Sequence, residues 1–467
     1  MSTIPQRPTP AMKNAVIDDG AVAAWQRSAP ADIGDFSGDC TRYSQFWLAG
    51  DALLAALPPR PDRNESQSAL ADSVKRFARD SRTRFLAAHA ASVYDRLTRN
   101  RTRFVRVQQL IYDAAALLPG LVPTRARVDA ESTLMLRDKE GVEVDQGLFV
   151  SAVLADTRAG THLCHAMLLP RPEAAELLPE FARTGRLSLE GADLVRRGRA
   201  AHLIQKNPRH LNAEDDDTID AAEIAADVAL LDPQIQIGVL RGDPVQGGKY
   251  DGLRMLGSGI NLTHLYYGKI PYIWYLQRDL GIVNKLFRGI ASEDAVPDDV
   301  SGVTTEKPWI AVVEQFAIGG HCQYLLAMDY VLAAKGAFMT LPARKEGIIP
   351  GAANMRLPRF TGERIAREAI LYERRLDCDS PEGRMICNEI VAPADMDAAI
   401  DRVVENFTGS GIVSAASNRR VMRVSQEPLD VFRRYFAAYA RDQAYCHFSP
   451  ALIANLERHW NARSRKL

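Results

Sequence analysis

Apolar residues recur at helical spacing in the first part of the chain. Phe36 to Leu57 reads as one helix, stopped by Pro58-Pro59. Leu70, Val74, Phe77, Phe85, Ala88 and Val93 give a long amphipathic helix over Gln67–Leu97, with a basic outer face. Phe104 to Leu118 continues as helix until Pro119-Gly120. Residues 1–30 carry little periodicity and are expected to be mobile or draped on the surface. Leu136–Gly147 reads as a polar turn region, Leu168–Phe181 as a packed connector, and Leu187–Arg199 as the end of the helical region. At Ala200 the texture changes. Short strand-like runs (Ala200–Gln205, Ile235–Leu240, Trp309–Phe316, Tyr330–Leu341) alternate with helical ones (Ile219–Leu231, Tyr272–Phe287), the pattern of an α/β core with helices covering a sheet. Helical pattern returns after Thr361 and runs to the tail. The expected organisation is a helical N-terminal domain over 1–199, an α/β core over 200–395 and C-terminal helices over 396–467.

Two places in the core carry candidate chemistry. Trp309–Phe316 leads through Gly319-Gly320 into the apolar helical run Cys322–Ala327. Upstream, Met255-Leu-Gly-Ser-Gly-Ile-Asn-Leu262 has the same order of strand, glycine break and helix. The first N–H groups of a helix lack intrahelical partners, and glycine lets a ligand reach the main chain. Two such corners can give one N–H each to a single developing oxyanion. A lone Gly-Gly would more often be an ordinary tight turn.

Composition narrows the field. The 58 basic and 58 acidic side chains cancel, which argues against a nucleic acid or membrane surface as partner. No apolar run approaches the ~18–20 residues that span a bilayer, and no secretory leader is evident. The six cysteines are scattered without a CxxC pair, so reduced thiols in a cytoplasmic protein are expected. His162 and His165 invite a metal reading, but no second ligand pair follows at zinc spacing; no metal site is expected.

The two glycine corners, with Glu346-Gly-Ile-Ile-Pro-Gly-Ala-Ala353 after them, resemble the crotonase (enoyl-CoA hydratase/isomerase) superfamily in order and spacing. That resemblance implies a fold of repeated ββα units, here with helical N- and C-terminal regions. It implies an oxyanion hole formed by the main-chain amides of Ile260 and Gly320. Ser258, Gly259, Asn261, Leu262, Gly319, His321 and Glu346 are then substrate- and coenzyme A (CoA)-binding positions. Trimers or paired trimers are implied as well. The two carboxylates that hydratases of the superfamily use are absent: their positions hold Gln323 and Ala343. An amide and a methyl cannot activate water or protonate carbon, so plain hydration is not the expected chemistry.

The blocks Leu211-Asn-Ala-Glu-Asp215, Gln277-Arg-Asp-Leu280, Gly320-x-x-Gln323, Lys345–Leu357 and Arg441-Asp-Gln-Ala444 further resemble the superfamily's cofactor-independent dioxygenase branch. This implies an arylacetyl-CoA substrate, with a 3,5-dihydroxyphenyl ring as the first candidate, and O2 as co-substrate without metal or flavin. Products would be an arylglyoxylate and free CoA. By the same resemblance Glu214 would accept from a phenol hydroxyl, and Arg278 and Gln323 would hold the acyl or pantetheine amide end. Lys249 and Tyr250 would meet the CoA phosphates and adenine, and Gln443 would reach the site from the C-terminal helices. Bland alternatives stand beside these: Glu214 as a helix cap, Arg278 in a surface ion pair, Gln323 bonded to backbone, Lys249 simply exposed. His321 stands where a small residue is usual, either packed or acting as a base. The competing activity is a crotonase-fold isomerase, thioesterase or decarboxylase using the same hole without O2.

Overall fold

The computed structural model describes residues 17–467 apart from Asp32. A short helix, Asp19–Arg27, lies within the stretch expected to be mobile, and residues 1–16 of that stretch fall outside the described part. Its Trp25 explains the order: the indole stacks on Phe46 at 4.6 Å and donates to the Phe46 carbonyl. Phe46 belongs to helix Phe36–Ala56, which packs on the long helix Glu65–Leu97 through Tyr43, Trp47 and Phe85. Asn64 and Gln67 form a reciprocal capping box that fixes where the long helix begins.

The expected turn region gives way to helix at Val144, the expected connector is largely helix, and the expected end of the helical region is a pair of strands. Val144–Ala155 and Pro172–Thr184 are helices, and Arg186–Arg197 is strand. Val144–Ala155 is apolar on nearly every side because it is buried on nearly every side, which erases the amphipathic signal. Its Gly147 lets helix Leu429–His447 come so close that a methyl there would lie 2.5 Å from the Ala444 Cβ.

The main sheet has seven strands in the order β1-β2-β3-β4-β5-β7-β10. These are β1 (Arg186–Ser188), β2 (Ala192–Arg197), β3 (Ala200–Gln205), β4 (Ile237–Gly242), β5 (Trp309–Val313), β7 (Tyr330–Ala334) and β10 (Glu389–Val391). From β3 onward all neighbours are parallel, while β1-β2-β3 is antiparallel. All five residues of β5 are buried, as expected of a parallel strand covered on both faces. A second, three-stranded sheet holds β6 (Phe316–Ile318), β8 (Phe338–Thr340) and β9 (Leu376–Asp377). The boundary expected at 199/200 therefore runs through the β2–β3 hairpin, and the sheet begins at Arg186.

Buried ion networks tie the layers together. Arg106, next to an N-terminal helix, meets Glu223 at 2.6 Å, and Lys285 bridges Glu223 and Asp227 at 2.7 Å each. Farther on, Glu427 is held by Arg356, Arg359 and Arg288. His162 and His165 serve packing: they bond Tyr94 and the Ser292 carbonyl, and both rings lie against Phe104.

Candidate active site

The strand β6 ends at Ile318, and Gly319 (φ +55°) turns the chain into helix Gly320–Leu325. The Gly319 N–H bonds the Thr340 carbonyl at 2.9 Å, which ties the corner to β8. Gly320 opens the helix, so its N–H has no intrahelical acceptor. The upstream corner is held by single bridges. Ile318 N donates to the Gly257 carbonyl, Glu214 N to the Gly259 carbonyl, and Asn261 N to the Glu214 carbonyl. The ladder takes the Asn261 N–H and the His321 ring takes the Gly259 N–H, which leaves the Ile260 N–H between them without an acceptor among the described residues. The two corners touch: a methyl on Gly259 would sit 3.2 Å from the Gly320 nitrogen.

Ile260 and Gly320 line one chamber, of about 30 Å³, with Trp274, Tyr275 and Tyr439 among its walls. Arg278 and Gln323 also face it. The Arg278 guanidinium is buried and nearly saturated. It bonds both Glu214 oxygens, Asp279, the Gln323 Oε1 and, at 2.7 Å, the Gly320 carbonyl. The surface-ion-pair alternative is thereby ruled out, and the role visible is to hold the Gly320 corner and the Gln323 amide.

Several expected contacts move one layer back. Glu214 is buried behind the corner, bonded by Arg278 and by Tyr324 at 2.7 Å, and lines neither cavity. Burial alone would raise its pKa, but the guanidinium more than offsets this and keeps it ionised. It is not the helix cap either: Asp215 caps helix Asp216–Leu231. The buried His321 ring accepts from the Gly259 N–H at 3.0 Å and faces neither cavity. Burial pushes its pKa down to about 4, so it is neutral at pH 7 and supports the glycine turn instead of acting as a base. Gln443 is also buried and accepts from the Ile349 N–H at 2.8 Å, steadying the 348–351 wall of the chamber. Asn261 caps helix Leu262–Tyr266 and borders the outer groove.

That outer groove is roomier, about 410 Å³, and opens beside the chamber. Ser258, Asn261 and Leu262 border it, as do Leu456 and Trp460 of helix Pro450–Trp460. Arg209, Lys345 and Arg465 give it a basic rim that the sequence reading overlooked. Lys249 is exposed and stacks on Tyr250, and Tyr250 packs against Phe316; neither lines the groove. Trp274, Tyr275 and Tyr439 were also overlooked. The first two lie one turn before Arg278, where the helical period could have pointed to them.

The Enoyl-CoA hydratase/isomerase family profile matches residues 296–435. The (3,5-dihydroxyphenyl)acetyl-CoA 1,2-dioxygenase of Amycolatopsis orientalis is 44% identical over 395 residues, 84% of this chain and 89% of that one. The chain thus belongs to the enoyl-CoA hydratase/isomerase, or crotonase, family. Within that family its likeness to the Amycolatopsis dioxygenase spans most of both chains. The carnitinyl-CoA dehydratase of Salmonella typhi is 27% identical over a shorter stretch, 30% of this chain and 57% of its own. Solved enoyl-CoA hydratase structures from Mycobacterium avium subsp. paratuberculosis (TM-score 0.47, 18% identity, 60% of this chain and 99% of that) and an enoyl-CoA hydratase/isomerase from Xanthobacter autotrophicus (0.48, 21%, 59% and 96%) also align. No described helix is long and apolar enough to cross a membrane, and the described residues contain no cluster of three or more His, Cys, Asp or Glu suited to a metal.

Proposed function

We propose that the protein is a dioxygenase that converts an arylacetyl-CoA, with (3,5-dihydroxyphenyl)acetyl-CoA as first candidate, and O2 into an arylglyoxylate and free CoA. The observation that carries this reading is the pair of acceptor-free amides, Ile260 and Gly320, in a chamber whose hydratase carboxylate positions hold Gln323 and Ala343. The thioester oxygen lies between the two N–H groups. The acyl group points into the chamber, whose free volume of about 30 Å³ must widen to take an aryl ring, and the pantetheine lies in the groove with CoA phosphates at the basic rim. Loss of one α-proton gives an enolate, each amide lowering the barrier by ~3 kcal/mol. The aryl ring spreads the charge further. The enolate itself reduces O2, and a C–O bond forms at the α-carbon. The distal peroxide oxygen attacks the thioester carbonyl and the C–S bond breaks, releasing CoA thiolate. Loss of the second α-proton as the O–O bond breaks leaves the 2-oxo acid. The two α-protons account for the thiol of CoA and the acid proton. Largely apolar walls restrict water, which would otherwise protonate the enolate.

The six cysteines form no disulfide, which supports a cytoplasmic setting, and the family resemblance supports a trimer or a pair of trimers. Sedimentation of the purified protein tests the assembly. Oxygen uptake by metal-free protein with (3,5-dihydroxyphenyl)acetyl-CoA tests the function: stoichiometric uptake with release of CoA is expected. CoA release or isomerisation at an equal rate under nitrogen would replace this reading with an oxygen-independent one.

A further inference from the structure

We propose that Glu346 is the base that removes the α-proton of the thioester. This rests on the function proposed above and names the group that its first step requires. Ile260 and Glu346 are the two residues that border both the chamber and the groove. A thioester spanning the two spaces has its carbonyl at the Ile260 amide and its α-carbon one bond away. Glu346 therefore stands where the acyl group meets the tail. It ends the short helix Ala343–Glu346, three residues after Ala343, and both residues face the chamber.

The state of the carboxyl fits the task. Glu346 is 8% exposed, and its carboxyl has no hydrogen bond or ion pair among the described residues; only its main-chain N–H is bonded, to the Pro342 carbonyl. Its cationic neighbours are turned elsewhere: Arg344 and Lys345 both pair with Glu373, at 3.0 and 2.7 Å. The other candidates at the chamber are committed. Asp279 accepts from Arg278 at 2.9 Å, Glu214 lies behind the corner, and His321 faces away with its Nδ1 occupied. Tyr275 and Tyr439 have pKa values raised by burial, so neither phenol is a base near neutrality. Burial, with the Glu373 charge behind it, pushes the Glu346 carboxyl up to about 7. A carboxylate of that basicity is far better matched to a thioester α-proton than an exposed one.

In the step itself the α-carbon–hydrogen bond breaks and the proton passes to a Glu346 oxygen. The electron pair moves into the enolate, whose oxygen is held by the Ile260 and Gly320 amides. The neutral carboxylic acid then returns the proton to the CoA thiolate when the C–S bond breaks.

The test is anaerobic exchange of the α-protons of (3,5-dihydroxyphenyl)acetyl-CoA in D2O, read by mass spectrometry, beside oxygen uptake in air. Wild type should exchange, with a rate that rises with pH through an inflection near 7. Glu346→Gln should lose ~10²–10⁴-fold in exchange and in oxygen uptake while binding the thioester within a few-fold of wild type. The inflection should also vanish in that variant, although Glu373, Lys345, Arg344, Tyr275, Asp279, Arg278 and His459 remain around the site. Exchange by Glu346→Gln within tenfold of wild type would overturn the assignment and leave the dioxygenase reading standing. A wild type that neither exchanges nor consumes O2 would overturn both. Should the variant not fold, a wild-type exchange rate flat between pH 6 and 8 overturns it independently.

Discussion

Replacing Gly259 by alanine separates the geometry of the hole from the stability of the fold. Gly259 has φ +83°, a conformation that costs an L-residue ~1–2 kcal/mol. The added methyl would lie 3.0 Å from the Ile318 carbonyl oxygen, 3.2 Å from the Gly320 nitrogen and 3.4 Å from the Gly319 Cα. All three contacts are to main chain, so relief requires the two corners to part. Parting them withdraws one amide from the thioester oxygen, a loss of ~10²–10³ in kcat. Gly319→Ala is the matched control. It too has positive φ, +55°, but its methyl would meet only the Gly259 Cα, at an ordinary 3.6 Å. Gly319→Ala should share the stability cost and keep kcat within ~10-fold of wild type. Initial oxygen uptake at saturating thioester gives kcat, and urea unfolding gives stability. Equal kcat losses in the two variants, or a Gly259→Ala enzyme with more than a tenth of wild-type kcat, would refute the two-corner hole.

Other consequences follow from the groups behind the corners. His321→Ala leaves the Gly259 N–H buried without an acceptor, at ~1–3 kcal/mol; His321→Asn, whose Oδ1 can stand near the lost Nδ1, should recover part of both stability and kcat. The neutral, buried His321 also makes the protein acid-sensitive. Its pKa is about 4 when folded and near 6.5 when unfolded, so its contribution is full above 6.5 and is lost as pH falls toward 4. A second, more acidic window belongs to Glu427. Burial would raise its pKa, but Arg356, Arg288 and Arg359 hold it at about 2, so its contribution is present above ~4.5 and is lost as pH falls toward 2. Glu427→Gln should therefore cost ~3–5 kcal/mol in urea unfolding at pH 7, with a smaller gap from wild type below pH 4. Tyr324→Phe removes one bond to the buried Glu214, and a stability loss of ~1–2 kcal/mol is expected with KM unchanged, since Tyr324 touches neither cavity.

What the sequence disclosed depended on whether chemistry is carried by main chain or by side chain. The meeting of the two corners was readable because glycine spacing governs backbone paths, and Ile260 and Gly320 do line one chamber. The flanking strands and helices were readable for the same reason, apart from boundaries such as Arg186–Arg197, where arginines masked a strand in the sheet's antiparallel part. Side-chain roles were less readable, because facing is decided by partners far along the chain. Glu214 turns away from the chamber because Arg278, 64 residues later, and Tyr324, 110 residues later, converge on it. His321 turns away because its ring fits beside Gly257, where a methyl would lie 2.3 Å from the ring, and meets the Gly259 amide. Glu346 shows the limit most clearly. In sequence it is one acidic residue beside Lys345, and the family resemblance placed it among the substrate-binding positions without marking it as a base. Only packing shows that Glu373 takes both neighbouring cations and leaves Glu346 buried and unpaired at the meeting of the two cavities. The vacancy left by Gln323 and Ala343 therefore does not leave the site without a proton acceptor. It relocates that acceptor by one helical turn, from position 343 to Glu346 on the same short helix.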